Sequence, residues 1–398
     1  MPLGWIDFSK NERNKVLNVL DLLYEKGTLD ELGIAPIRDG FSDLFFPGTT
    51  TIQTRAKYFL IVPYTLKDLE YSNEINPNRM LRTLDAIERE CGEVLVRGDD
   101  TNGVIGRRSL AQNEWVQRAP SSIYWAGLRR YGIFSGGNLS LTEYIRTLCV
   151  QKNQKSNLLK LGNKNDSLEE KDSDDNDAGN LFNVHFWNIT TYQEEWKENL
   201  TISLTKEEGE FLKHQIIQTS KDTMMEFVLE NHIDEFIECR SFQELQSLIT
   251  IFPKKIQDSY TLAYDFSEFL NVLYTVYNMI VSAGENEKAN KSWCEFDLVK
   301  LASVDLESIF DLLQVRNHDK LCSFLRQSQK LMKDSDLEGL KSLIILREKN
   351  LKDSSRAKTL HPGQNDPQEW FGVDKLDYRF KNAKDIIKDI FESEEIQC

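Results

Sequence analysis

At Ser9–Glu12, Thr28–Glu31, Ser140–Glu143, Thr205–Glu208, Ser241–Glu244 and Ser335–Glu338 the chain sets a serine or threonine three residues ahead of a glutamate. This is the spacing of a capping box, in which the hydroxyl accepts from the N–H three residues on and the carboxylate reaches back to the cap N–H. A single match is weak evidence. Six, mostly leading into apolar runs of helical period, predict a mainly α fold with minor β. The remaining start and stop signals agree. Val16, Leu20, Leu23 and Tyr24 share one face of a helix expected from Lys10 to Lys26, which Gly27 would end. Asn76-Pro77 opens a second helix, with Leu81, Leu84, Ile87 and Cys91 on its face and Gly92 as its stop. Two short apolar runs leave room for β structure. Tyr58–Val62 fits a strand or part of a helix, and Glu93–Val96 fits a strand.

At 398 residues the chain exceeds one ordinary core. Its composition shifts once, abruptly. Residues 152–165 are rich in Asn and Lys, and Asp166–Asp177 holds seven acids and one lysine. Such a stretch buries too little apolar surface to offset its ordering entropy. The expected layout is therefore an N-terminal helical domain over 1–150, a disordered linker over 151–180 and a helical C-terminal domain over 181–398. In the last, Ala263, Phe266, Leu270, Leu273, Tyr277 and Ile280 step by three and four along a core helix. Leu376, Phe380, Ala383, Ile387 and Ile390 do the same near the C-terminus, with Lys381, Lys384 and Lys388 off the stripe.

Several function classes drop out. The most apolar stretch, Thr261–Ala283, carries Asp265, Glu268, Asn271 and Asn278, so no membrane span is expected. The first residues have neither the basic nor the apolar region of a signal peptide, and the six cysteines are scattered at least 28 residues apart. Both point to a cytoplasmic chain with reduced thiols, and to neither a zinc ribbon nor a redox motif. No metal site and no cofactor are expected. HExxH, GxSxG, GxGxxG and the P-loop pattern are all absent. His318-Asp319 reads as a surface turn, and Glu195-Trp-Lys197 is too short a fragment to mark a nuclease. Trp5 and Asp7 read as an anchor of the N-terminal segment, and His185 as a packed histidine.

Two segments carry candidate chemistry. Residues 103–134 hold Arg107, Arg108, Arg118, Arg129 and Arg130 against one acid, Glu114, in a chain of net charge −15. Their layout predicts a helix from Arg107 to Gln117, a break at Arg118-Ala-Pro120, and a second helix capped by Ser121 or Ser122 and ending at Tyr131-Gly132. Tyr124, Leu128 and Tyr131 would be buried and Arg129 and Arg130 directed elsewhere. This resembles a helix-turn-helix, and its arginines suit phosphates or guanine edges of DNA or RNA. Two features speak against a standard one: the second helix carries its arginines at the C-terminal end, and the turn contains proline. The other segment, Phe46-Pro-Gly-Thr-Thr-Thr-Ile-Gln-Thr-Arg-Ala-Lys57, feeds hydroxyls and cations into a helix start. Thr49, Thr51, Arg55 and Lys57, joined by Arg38, form a candidate phosphate site.

Gly4-Trp-Ile-Asp-Phe-Ser9, Ile52-Gln-Thr-Arg-Ala-Lys-Tyr-Phe59, Gly103-Val-Ile-Gly-Arg107, Pro120-Ser-Ser-Ile-Tyr-Trp-Ala-Gly-Leu128 and Leu376-Asp-Tyr-Arg-Phe380 resemble an uncharacterised bacterial family, a domain of unknown function. The resemblance spans nearly all of the chain outside 151–180. It implies gene neighbours that are helicases and phospholipase-D-like nucleases in phage-defence islands, and it assigns no catalytic residue. The expected function is an accessory subunit of an antiphage system that contacts nucleic acid and acts with a partner helicase or nuclease. The alternatives are a phosphate-handling enzyme at the PGTTTIQTR segment and a structural scaffold.

Overall fold

The computed structural model describes residues 30–162, 185–352 and 354–395. Helices account for nearly all regular structure there. They are α1 (Ala35–Phe45), α2 (Tyr58–Tyr71), α3 (Pro77–Val96), α4 (Arg107–Leu110), α5 (Pro120–Arg130), α6 (Leu141–Gly162), α7 (Lys206–Thr219), α8 (Met224–Asn231), α9 (Glu235–Glu238), α10 (Lys254–Val281), α11 (Glu287–Glu295), α12 (Leu298–Leu301), α13 (Leu306–Leu312), α14 (Asp319–Lys333), α15 (Leu337–Leu351) and α16 (Phe380–Glu394). The mainly α expectation holds. Extended pairing among the described residues is a single antiparallel bridge, Phe134 with Trp187.

The capping boxes fare unequally. Thr205–Glu208 forms both reciprocal bonds at the start of α7. Ser140–Glu143 does the same at α6. Ser241 caps a 3₁₀ turn, where Glu244 serves the N–H of Arg240 instead. At α15 the cap is Asp336, and Ser335 sits at φ 51°. Ser9, Thr28 and the Lys10–Lys26 helix lie outside the described residues, as do Trp5 and Asp7.

Both strand candidates are helical. Tyr58–Val62 is the opening of α2, buried on every side. Glu93–Val96 is the last turn of α3, whose Asn76 cap and Pro77 start are as expected. Gly92 does not stop that helix. It is buried within it, where an added Cβ would stand 3.1 Å from the Trp115 ring and 3.2 Å from Leu110. The glycine is there for close approach, and Leu95 continues the buried stripe beyond it.

The chain divides into two units. Among the described residues, those within 39–261 and 377–395 form the major unit, and those within 30–38 and 262–376 the minor unit. The chain passes between them within α1, within α10 and at 376–377. This division does not follow the layout expected from composition. Residues 151–162 extend helix α6, and the described residues flanking 163–184 on both sides belong to the major unit.

The major unit is organised by aromatic rings. Phe41, Phe45, Phe46, Phe236, Phe242, Tyr378 and Phe380 are all nearly or fully buried and meet pairwise at 4.8–6.4 Å. Each such ring is worth about 1.5–3 kcal/mol of burial. A second cluster joins Trp125, Phe134, Tyr144, Phe186 and Trp187. Its polar edges converge on Glu70, which accepts from the Tyr144 hydroxyl and the Trp187 indole. In the minor unit the expected stripe of α10 is buried from Ala263 to Ile280. Its Tyr277 hydroxyl donates to the fully buried Glu348 of α15, which also accepts from Lys352 and from the N–H and hydroxyl of Thr359.

Candidate polyanion-contacting surface

The basic segment is held from beneath by its apolar residues. Val104 and Ile105 are buried, and the Ile105 N–H donates to the Tyr58 hydroxyl at 2.8 Å. The Thr54 hydroxyl donates to the Gly103 carbonyl at 2.6 Å. Gly106 then turns the chain at φ +79°, a value that disfavours any residue with a Cβ. With 104 and 105 fixed inward, Arg107 and Arg108 emerge on the solvent side of α4. Neither has an acid within ion-pair distance among the described residues.

The helix expected from Arg107 to Gln117 is a single turn ending at Leu110. Asn113 at φ 59° breaks it. Side chains from α3 hold the rest in place: Asp85 accepts from the Trp115 indole, and Arg89 donates to Asn113. A helix-turn-helix needs a full first helix, so that expectation is corrected. What remains is one helix, α5, preceded by an irregular loop.

Helix α5 itself follows expectation closely. Tyr124, Leu128 and Tyr131 are fully buried. Gly127 lies so close to the backbone at Gly48 that an added Cβ would meet the Gly48 carbonyl oxygen at 2.5 Å. The cap differs. Ala119 occupies the cap position, and Glu88 of α3 does a cap's work from outside, accepting from the Ser121 N–H at 2.5 Å and its hydroxyl at 3.0 Å. Burial pushes the Glu88 carboxyl up to about 7, against the pull of those two bonds. At the other end, Arg129 is half-buried and donates to Asn138, with its Nε unpartnered among the described residues. Arg130 is exposed, and its charge is a minor influence on Asp43, whose carboxyl burial pushes above its ordinary value against the pull of Arg379. Arg118 is exposed.

The five arginines therefore do not share one stripe. Arg107 and Arg108 belong with α3, while Arg129 and Arg130 sit at the far end of α5, which at 11 residues is about 16 Å long.

The candidate phosphate segment has a different fate. Arg55 is buried, and its Nε reaches both oxygens of Asp389 on α16 at 2.8 and 3.0 Å. Its Nη1 reaches Asp100 at 2.6 Å. Asp389 also accepts from the Ala56 N–H, yet burial still pushes its carboxyl up to about 6. Lys57, also buried, meets Glu208 at 2.5 Å. The Thr49 hydroxyl is buried and donates to the Phe46 carbonyl, whereas Thr51 is exposed. Arg38 belongs to the minor unit. Two cations expected to await a phosphate are thus neutralised inside the protein. Sequence reasoning missed their partners: Asp389 lies 334 residues away and carries no local signal, and Glu208 was visible only as a capping residue.

The lesser candidates resolve simply. Trp196 and Lys197 both bind Asp68, a local tie between the 192–197 turn and α2. His318 is exposed ahead of α14, and no group of His, Cys, Asp or Glu among the described residues has metal-binding geometry. His185, expected to be packed, is exposed, and its carbonyl accepts from the Ser135 hydroxyl. Cys91, Cys149, Cys239 and Cys322 are buried thiols, and Cys294 is exposed. No helix among the described residues is long and apolar enough to cross a membrane.

Residues 1–160 match a family of unknown function (DUF6361). No curated protein and no solved structure matches the chain.

Proposed function

We propose that this chain is a non-catalytic, nucleic-acid-contacting subunit that works beside a helicase or nuclease in bacterial phage defence, in the cytoplasm. The observation that carries the contact is the display of Arg107 and Arg108 to solvent. Among the described residues they stand without acid partners, on a turn anchored by Val104 and Ile105, in a chain of net charge −15. Elsewhere in the same half, Arg55 and Lys57 are consumed by interior carboxylates, which weighs against a phosphate-handling site. The defence setting rests on the motif resemblance alone.

Fluorescence anisotropy with labelled single-stranded DNA, duplex DNA and RNA tests the contact. We expect binding at about 50 mM salt that weakens steeply towards about 200 mM, as released counterions require. Absence of binding to all three probes at the lower salt, with the protein alone and with its co-purified partner, removes the reading.

A further inference from the structure

The turn that leads into Arg107 and Arg108 is built around one side chain, Arg55. Its Nε is fixed on both oxygens of Asp389 in α16. Its Nη1 donates to Asp100 at 2.6 Å and to the Asn102 carbonyl at 3.0 Å. The other oxygen of Asp100 accepts from the Asn102 N–H at 2.9 Å, which folds the turn back on itself. Gly103 packs directly on the Arg55 stem. An added Cβ there would meet Cγ of Arg55 at 2.7 Å, and φ of +73° disfavours one in any case. The neighbouring Thr54 completes the clamp, its hydroxyl donating to the Gly103 carbonyl at 2.6 Å. Asp100, Asn102 and Gly103 are thus held by Thr54 and Arg55, and only Val104–Gly106 separate them from Arg107.

We infer that Arg55 is the positioning residue of the polyanion-contacting turn. It touches no ligand, and it sets where Arg107 and Arg108 stand. The inference rests on the reading of those two arginines as the contact. Its physical ground is preorganisation. A loop ordered before binding loses less conformational freedom on binding, so the same contacts give a higher affinity. Burial of Val104 and Ile105 holds the turn down, but burial is non-directional. The clamp adds direction, because a guanidinium donates from fixed positions in its plane. A purely electrostatic role for this network predicts the opposite sign. Asp100 is an acid seven residues ahead of Arg107, so by charge alone its loss would favour a polyanion. Positioning makes its loss unfavourable.

The test changes Asp100 and Thr54, since loss of Arg55 itself strands Asp389. Asp100 has 48% of its side chain exposed. In Asp100→Asn, either orientation of the amide loses one of the two bonds, because only one of its atoms accepts. The full chain is titrated with labelled single-stranded DNA, duplex DNA or RNA, whichever the unaltered protein binds most tightly. Asp100→Asn should weaken binding about threefold or more, with the logarithmic salt dependence kept within about half a unit, because both arginines remain. Thr54→Val removes the bond to Gly103 without changing charge and should weaken binding about twofold or more. Asp99→Asn removes the same charge one residue away, from an exposed side chain that makes no hydrogen bond or ion pair among the described residues. It should leave affinity unchanged or raise it. Amide exchange over residues 103–108 should quicken about fivefold in Asp100→Asn. Unchanged or tighter binding by Asp100→Asn overturns the inference and leaves Arg107 and Arg108 as the contact. So does an equal loss in Asp99→Asn, a salt dependence that falls by about one unit, or unchanged amide exchange. An unaltered chain that binds none of the three probes removes the contact reading, and this inference with it.

Discussion

Arg55 and Lys57 lie some fifty residues before Arg107 and Arg108, both pairs following short polar, turn-forming stretches, yet the fold uses them oppositely. The first pair is buried and ends on Asp389, Asp100 and Glu208. The second stands in solvent, with no acid at ion-pair distance among the described residues. A cation buried with one partner is a structural commitment, because removing either member leaves the other charged in a medium that solvates it poorly. A cation in water is nearly free of such obligations, and its value lies in what it meets. Charge counting along the sequence does not separate the two cases.

The sharpest way to break this comparison is to cut the buried pairs. Arg55→Ala strands Asp389, and Lys57→Ala strands Glu208. Each should cost about 3–5 kcal/mol, read as a lower urea midpoint of the major unit's transition. A loss below about 1 kcal/mol in either would mean that water reaches the partner carboxylate, and the contrast with the exposed pair would collapse.

Next in size is a pH effect at Glu88, the carboxylate that holds the start of α5. Its folded form keeps a proton up to about 7, above its ordinary 4.5. Between those values the folded state binds more protons than the unfolded state, so this group's contribution to stability falls as pH rises from 4.5 to about 7. The loss is on the order of 3 kcal/mol across that window. Glu88→Gln, which keeps an acceptor for the Ser121 N–H, should flatten the slope in unfolding measured at a series of pH values. An unchanged slope would assign it to another group, of which Asp389 is the next to examine.

Smaller still is the expected effect of Arg107→Ala with Arg108→Ala. Nucleic-acid affinity should drop about tenfold and the logarithmic salt dependence should lose about two units, while stability stays within about 0.5 kcal/mol. A stability loss like that of Arg55→Ala would move these residues into the structural class. The least effect is expected from Arg129→Ala with Arg130→Ala, about threefold or less on affinity, since Arg129 is half-buried and already donates to Asn138. A larger loss there than at Arg107 would place the contact surface at the C-terminal end of α5.

How much of this was legible in advance differs by element. The burial of Tyr124, Leu128 and Tyr131, and the full stripe of α10, followed from spacing alone, because a helix facing a core repeats its apolar residues at fixed intervals. The pattern of Arg107–Gln117 predicts one helix, and the structure breaks it at Asn113, a residue type that tolerates a positive φ but does not demand one. Gly92 was read as a stop because glycine commonly ends helices. Its use here, making room for Trp115, depends on a residue 23 positions later. The Glu93–Val96 strand fails, and Tyr58–Val62 takes the helical one of its two alternatives, for a related reason: a short apolar run has no period of its own, and its neighbours decide which structure it joins.

The sequence by itself determined that the protein is helical, where several helices begin, and which of their faces are apolar. Those properties come from hydrogen bonds and burial patterns spanning a few residues. Only the tertiary structure decided which charges are spent inside and which are displayed, because Coulomb interactions act through space, and the carboxylate that neutralises Arg55 is brought to it by the fold from the far end of the chain.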